Sequence, residues 1–145
     1  MNRHILIRFL VLAATIFLTG LSVSVAAQTP EELQQRYGNP QLGVYKIREA
    51  ITAKVTFDKN NQAVEIVVEP LQSNDSPVAM PAATAAEILN EIMPTSQRGK
   101  FLKKGAFAAS CISVQTEDYA RVSIAQTTRC DSQGGGVYQL NIRRK

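Results

Sequence analysis

The stretch Ile51-Thr-Ala-Lys-Val-Thr-Phe57, the linker Asp58-Lys-Asn-Asn-Gln62 and the stretch Ala63-Val-Glu-Ile-Val-Val-Glu69 together decide the fold class. Ile51, Ala53, Val55 and Phe57 alternate with Thr52, Lys54, Thr56 and Asp58, the period-2 pattern of a half-buried strand. Val64, Ile66 and Val68 alternate in the same way. Asn60-Asn61 suits a two-residue type I′ turn, because asparagine tolerates positive φ. With Lys59 opposite Gln62, Phe57 faces Val64, Val55 faces Ile66, Ala53 faces Val68 and Thr56 faces Glu65. All apolar pairs then fall on one face, as register demands. A one-sided antiparallel sheet needs a covering layer on its apolar face.

Upstream, residues 28–40 read as a short helix with both ends marked. Thr29 is the N-cap, Pro30 takes the first helical position and Glu32 closes a capping box. Gly38 and Pro40 end the helix. Residues 44–48 form a short strand with Tyr45 and Ile47 on one face. Downstream, residues 72–81 are a linker by composition. A second helix follows, with Thr84 as N-cap, Glu87 closing its capping box and Pro94 as the stop. Its stripe of Ala85, Ile88, Leu89 and Ile92 has helical spacing. Residues 95–105 read as a basic loop, and residues 106–128 as a hairpin. Val114 faces Val122 in that hairpin, and Glu117-Asp118-Tyr119 makes its turn. Gly134–Gly136 reads as a flexible connection. A last strand, residues 137–143, carries Tyr138, Leu140 and Ile142 on one face.

The expected fold class is therefore α+β. Two helices pack on antiparallel sheet in an architectural pseudo-repeat of α-β-β-β, with halves 28–71 and 82–145, after an N-terminal signal peptide. That segment is residues 1–27. Arg3, His4 and Arg8 precede the apolar run Phe9–Leu18, and small residues lead to Ala26-Ala27. Basic, apolar and small-residue regions in this order are the pattern of a secretory signal peptide, cleaved after Ala27 or Ala26. An uncleaved anchor is the alternative, although a membrane span needs about 20 apolar residues. The remaining residues, 28–145, suit one domain.

The 145-residue chain carries a formal net charge of +4, too mild to argue for nucleic acid. Cleavage would remove His4, the one histidine. Nucleophilic triads that use imidazole as base, and the usual zinc and non-haem iron ligand sets, are then not expected. No cofactor is expected. Cys111 and Cys130 are the two cysteines, and export would place them where disulfides persist. A structural bridge closing a loop of this size would contribute about 3 kcal/mol.

Arg98, Lys100, Lys103 and Lys104 place four cations in seven residues and are the candidate contact for an anionic lipid or glycan surface. Tyr37, Tyr45 and Tyr119 are candidate partner contacts, since tyrosine is enriched at interface hot spots. Tyr45 is equally suited to the core. Glu87 and Glu117-Asp118 have simpler local roles than acid–base chemistry.

The first half resembles the small lipoproteins of the outer-membrane barrel-assembly machinery. There a helix ends in Gly-x-Pro, and a tyrosine-bearing strand and a Phe-Asp-x-x-Gly-x-Val hairpin follow. The matching residues are Gly38-Asn39-Pro40, Tyr45, and Phe57-Asp58 through Val64. Asn60-Asn61 lacks the glycine of that hairpin, and no cysteine precedes Cys111 to carry a lipid. The tandem helix-plus-sheet layout resembles the β-lactamase inhibitor proteins. The Tyr-Gly-x-Pro opening resembles uncharacterised secreted bacterial proteins. These resemblances imply a periplasmic or secreted, non-catalytic binding or assembly module with an envelope or secreted protein as partner. The alternative is an inhibitor of a secreted enzyme that presents the Glu117–Tyr119 turn.

Overall fold

The computed structural model describes residues 28–72, 78–129 and 136–145. Three helices and seven strands follow in chain order. They are α1 (Pro30–Tyr37), β1 (Val44–Arg48), β2 (Ile51–Phe57), β3 (Ala63–Pro70), α2 (Ala82–Ile92), α3 (Thr95–Arg98), β4 (Phe101–Ala109), β5 (Ile112–Tyr119), β6 (Val122–Arg129) and β7 (Val137–Arg144). All seven strands form one antiparallel sheet in the order β1-β2-β3-β7-β6-β5-β4. The α+β class holds.

Helix α1 begins and ends where its local chemistry requires. The Glu32 amide donates to Thr29 Oγ1 at 3.2 Å and the Thr29 amide donates to the Glu32 carboxylate at 3.3 Å. Gly38 takes φ 79°, and its N–H closes on Gln34 O. The β2–β3 hairpin has Val55 opposite Ile66, Ala53 opposite Val68 and Thr56 opposite Glu65.

Its turn differs from the type I′ expectation. The Asn61 amide donates to Asp58 O at 3.1 Å, and the Asp58 amide donates to Gln62 O at 2.9 Å. Asn61 has φ 57° and Asn60 does not have positive φ. This is a type I turn followed by a left-handed residue and a bulge. The Asp58 carboxylate selects it by accepting from the Asn60 and Gln62 amides at 2.8 and 2.9 Å. The bulge places Ala63 opposite Phe57 and buries Ala63 where Val64 was expected. Asn61→Gly is expected to stabilise the protein by about 0.5–1 kcal/mol, because glycine occupies the left-handed region without a Cβ penalty. Urea denaturation measures the gain, and a loss of stability would contradict this turn.

Helix α2 carries the expected buried stripe of Ala85, Ile88, Leu89 and Ile92. Its start is corrected. Pro81 is the N-cap without a side-chain bond, and Thr84 lies inside the first turn. The entry is set by long-range pairing instead, since Met80 and Val137 exchange both backbone hydrogen bonds at 2.9 and 2.8 Å. Residues 73–77 of the expected linker lie outside the described residues.

The second half departs further from expectation. The basic loop is a one-turn helix, α3, followed by β4, so this half has four strands and not three. Glu117-Asp118-Tyr119 lies within β5, and the chain reverses at Ala120-Arg121. Val114 pairs with Thr127, not Val122. Strand β7 joins the halves, with Ile142 opposite Ile66 and Leu140 opposite Val68. A bulge where Thr127 faces Gln139 but Thr128 faces Val137 leaves Tyr138 as the extra residue. Val137 therefore enters the core in place of Tyr138. Of the expected glycine connection, Gly134 and Gly135 lie outside the described residues.

The core sits between α2 and one face of the sheet. It joins Ile88, Leu89, Ile92 and Met93 to Ile66, Val68, Val122, Ile124, Leu140 and Ile142. Each such side chain contributes about 1.5–3 kcal/mol by leaving water. Among the described residues, no helix covers the other face.

Candidate functional site

The four predicted cations do not converge. Arg98 is buried. Its Nε donates to Met93 O at 2.9 Å and its guanidinium donates to Asn90 Oδ1 at 2.6 Å. It also lies 5.8 Å from the centre of the Tyr119 ring. Arg98 thus ties the end of α2 to β5 and is not available to a membrane or glycan. Lys100 is exposed just before β4. Lys103 and Lys104, consecutive in a strand, project to opposite faces. Each has an acid from β5 nearby, Asp118 at 3.7 Å and Glu117 at 4.0 Å.

The tyrosines also separate. Tyr45 is 3% exposed and belongs to the interior, which removes it as a partner contact. Its parity with Ile47 carried that reading in the sequence. Tyr119 is half-buried, donates to the Glu117 carboxylate at 2.9 Å and meets Phe101 edge-on at 5.5 Å. Tyr37 is half-buried against the core and donates to Glu91 Oε1 at 2.7 Å. Burial and that bond push its phenol up to about 12. Glu91 is held below the usual carboxylate range, first by Arg48 and then by the Tyr37 hydroxyl. A hollow of about 500 Å³ lies beside it, between α1 and the end of α2. A carboxylate kept ionised by an ion pair is a weak proton acceptor and no proton donor near neutral pH, so this cluster is poorly suited to acid–base work.

Cys111 stands exposed at the β4–β5 turn and is unbridged among the described residues. Its expected partner, Cys130, lies outside the described residues. No three His, Cys, Asp or Glu side chains group as a metal site among the described residues.

The open face of the sheet offers a different site. Phe107 faces Val114 across β4–β5, Val114 faces Thr127 across β5–β6, and Thr127 faces Gln139 across β6–β7. These pairs lie on one face, because side chains directly opposite share a side. Val114, Ser123, Ala125, Thr127, Gln139 and Asn141 line a trough of about 330 Å³. It continues into a hollow of about 380 Å³ that adds Ile112, Arg129 and Tyr138 while sharing Thr127 and Gln139. The β7 bulge turns Tyr138 into this hollow, and the Arg129 guanidinium covers its ring at 5.0 Å. At the far end, Glu65 accepts from Asn141 at 3.0 Å and Arg143 at 2.8 Å. Those two donors hold its carboxyl below the ordinary range.

Small side chains at Ser123, Ala125 and Thr127 make the floor. Phe107 at 65% and Ile112 at 44% exposure make an apolar margin. Sequence reading missed this margin because it set Val114 on the same face as Val122, whereas the observed register puts Val114 opposite Thr127. The face offers amides, hydroxyls, two guanidinium groups and apolar surface, which is the composition of a docking surface.

The fold and this face define a one-sided α+β sheet protein with an open, concave, mixed-polarity surface. No family model matches the chain, and no curated protein matches it. Among solved structures, a DUF4309 family protein from Bacillus subtilis is similar in shape, with a TM-score of 0.46 and 12% identity over 87% of this chain and 84% of that one.

Proposed function

We propose that the chain is an exported, non-catalytic binding module of the bacterial envelope that docks a protein partner on the open face of its sheet. The observation that carries this reading is the trough floored by Ser123, Ala125 and Thr127 and flanked by exposed Phe107 and Ile112. Exposed Phe107 and Ile112 supply apolar area to bury, and the adjacent hollow supplies hydrogen-bonding groups, the two kinds of contact that a protein interface combines. Export, to the periplasm or beyond, rests on the order of charge, apolar run and small residues in 1–27. Gln28, the next residue, is anchored to the fold, its carbonyl accepting from the Ala63 amide and its side chain donating to Ile92 O at 2.7 Å. The disulfide also belongs to this reading. Ile112 pairs with Arg129, and in the sequence Cys111 precedes the first and Cys130 follows the second. An inhibitor presenting Glu117–Tyr119 as a turn loses its basis, since those residues belong to β5.

The test uses exported protein as bait in native envelope extract, with mass spectrometry of what is retained. The bait is expected to begin at Gln28 or Ala27 and to yield a Cys111–Cys130 peptide. Ala125→Arg fills the trough and is expected to abolish retention of the partner without lowering Tm, whereas Gln35→Glu, exposed on α1 away from the open face, leaves it unchanged. Equal retention by wild type and Ala125→Arg would refute the docking face. Turnover of a peptide, glycan or ester, lost on changing one carboxylate, would refute the non-catalytic reading.

A further inference from the structure

Among the described residues, the last strand of the sheet, β4, has only β5 as a neighbour. It is nine residues long, about 30 Å, and exposed at every position except half-buried Gly105. Its outer edge is a row of backbone donors and acceptors ready to pair with another strand. Proteins often protect such edges with proline, of which β4 has none, or with lysine, of which it has two.

We propose that two copies of the chain pair edge to edge through β4, antiparallel and centred on Gly105, so that two seven-stranded sheets run on as one. The proposal concerns the edge of the sheet and goes beyond the docking face described above. Two identical antiparallel strands related by a two-fold axis must cross at a residue, because directly opposed residues both turn their backbone groups the same way with respect to the junction. The midpoint of Phe101–Ala109 is Gly105, and this register alone pairs all nine positions. It sets Lys103 opposite Phe107 of the second copy and Lys104 opposite Ala106 of the second copy. No lysine meets a lysine. Slipping the centre to Lys104 would set that ammonium against itself, and slipping it to Ala106 would leave Phe101 and Leu102 without partners.

The axis stands perpendicular to the sheet. Both open faces therefore lie on one side, and the two troughs become parts of a single surface. Lys103, on the open face with Phe107, would lie against the exposed aromatic ring of the second copy, a cation–π arrangement. Within one chain the two side chains lie four strand positions apart, too far to touch.

Analytical ultracentrifugation of the exported protein over a concentration series tests this. The wild type is expected to dimerise. Phe107→Lys puts two lysines opposite each other at two symmetric places and is expected to weaken the dimer by about tenfold or more, with Tm unchanged. The double variant Lys103→Glu/Phe107→Lys restores attraction at both places and is expected to recover the dimer. Ala125→Arg, on the trough floor, should leave it intact, which separates self-pairing from partner docking. A wild type that stays monomeric, a dimer indifferent to Phe107→Lys, or a double variant that remains dissociated would each overturn the proposal.

Discussion

Leu140→Ala is expected to lower the unfolding free energy by about 3 kcal/mol, within the 2–5 kcal/mol found for buried leucine truncations. Leu140 is 0% exposed and lies opposite Val68 in β3 and Gln126 in β6. Its strand is the seam between the halves, so neighbours on both sides are held by their own ladders and cannot collapse into the void. Urea denaturation should show a lower midpoint with an unchanged slope. Gln139→Ala, one residue away on the open face, should cost about 0.5 kcal/mol or less. A Leu140→Ala cost below that of Gln139→Ala would place β7 wrongly.

Arg98→Ala is expected to cost about 2–3 kcal/mol, because it leaves the buried Met93 carbonyl and the Asn90 side chain without their charged donor. Arg98→Lys should recover less than half of the loss. An ammonium cannot reproduce the planar fork that reaches Met93 O, Asn90 Oδ1 and the Tyr119 face together. Lys100→Ala, which removes an exposed cation of the same sequence cluster, should change stability by no more than about 0.5 kcal/mol. Thermal and urea unfolding of the three variants decide the matter. Equal behaviour of Arg98→Ala and Lys100→Ala would return Arg98 to the surface role that its basic surroundings suggested.

Arg98 also shows where pattern reading stops. Four cations in seven residues look like one patch in a line of sequence. A strand sends Lys103 and Lys104 to opposite faces, and a single helical turn folds Arg98 inward. The capping-box motifs divide in the same way. Thr29-x-x-Glu32 forms its cap because Pro30 fixes the first helical position and the anchored Gln28 delivers Thr29 in extended geometry at the helix start. Thr84-x-x-Glu87 does not, because the Met80–Val137 pairing starts α2 three residues earlier. The candidate face was invisible for a related reason. In β5 the apolar residues Ile112 and Val114 turn to the open side, and Gln115 and Glu117 share the side of the core strands. Alternation shows that two faces exist but not which one is covered.

What the sequence by itself determined is therefore what short-range forces decide: the cap and end of α1, the buried stripe of α2, the β2–β3 register and the α+β class. Each depends on residues within a few positions, or on one uninterrupted apolar alternation across a short turn. The tertiary structure alone decided the β3–β7 seam, the β5–β6 register, the burial of Arg98, and the bulge that turns Tyr138 into the trough. These depend on which distant strand supplies the hydrogen bonds and which face α2 covers, and neither is encoded in the spacing of neighbouring residues.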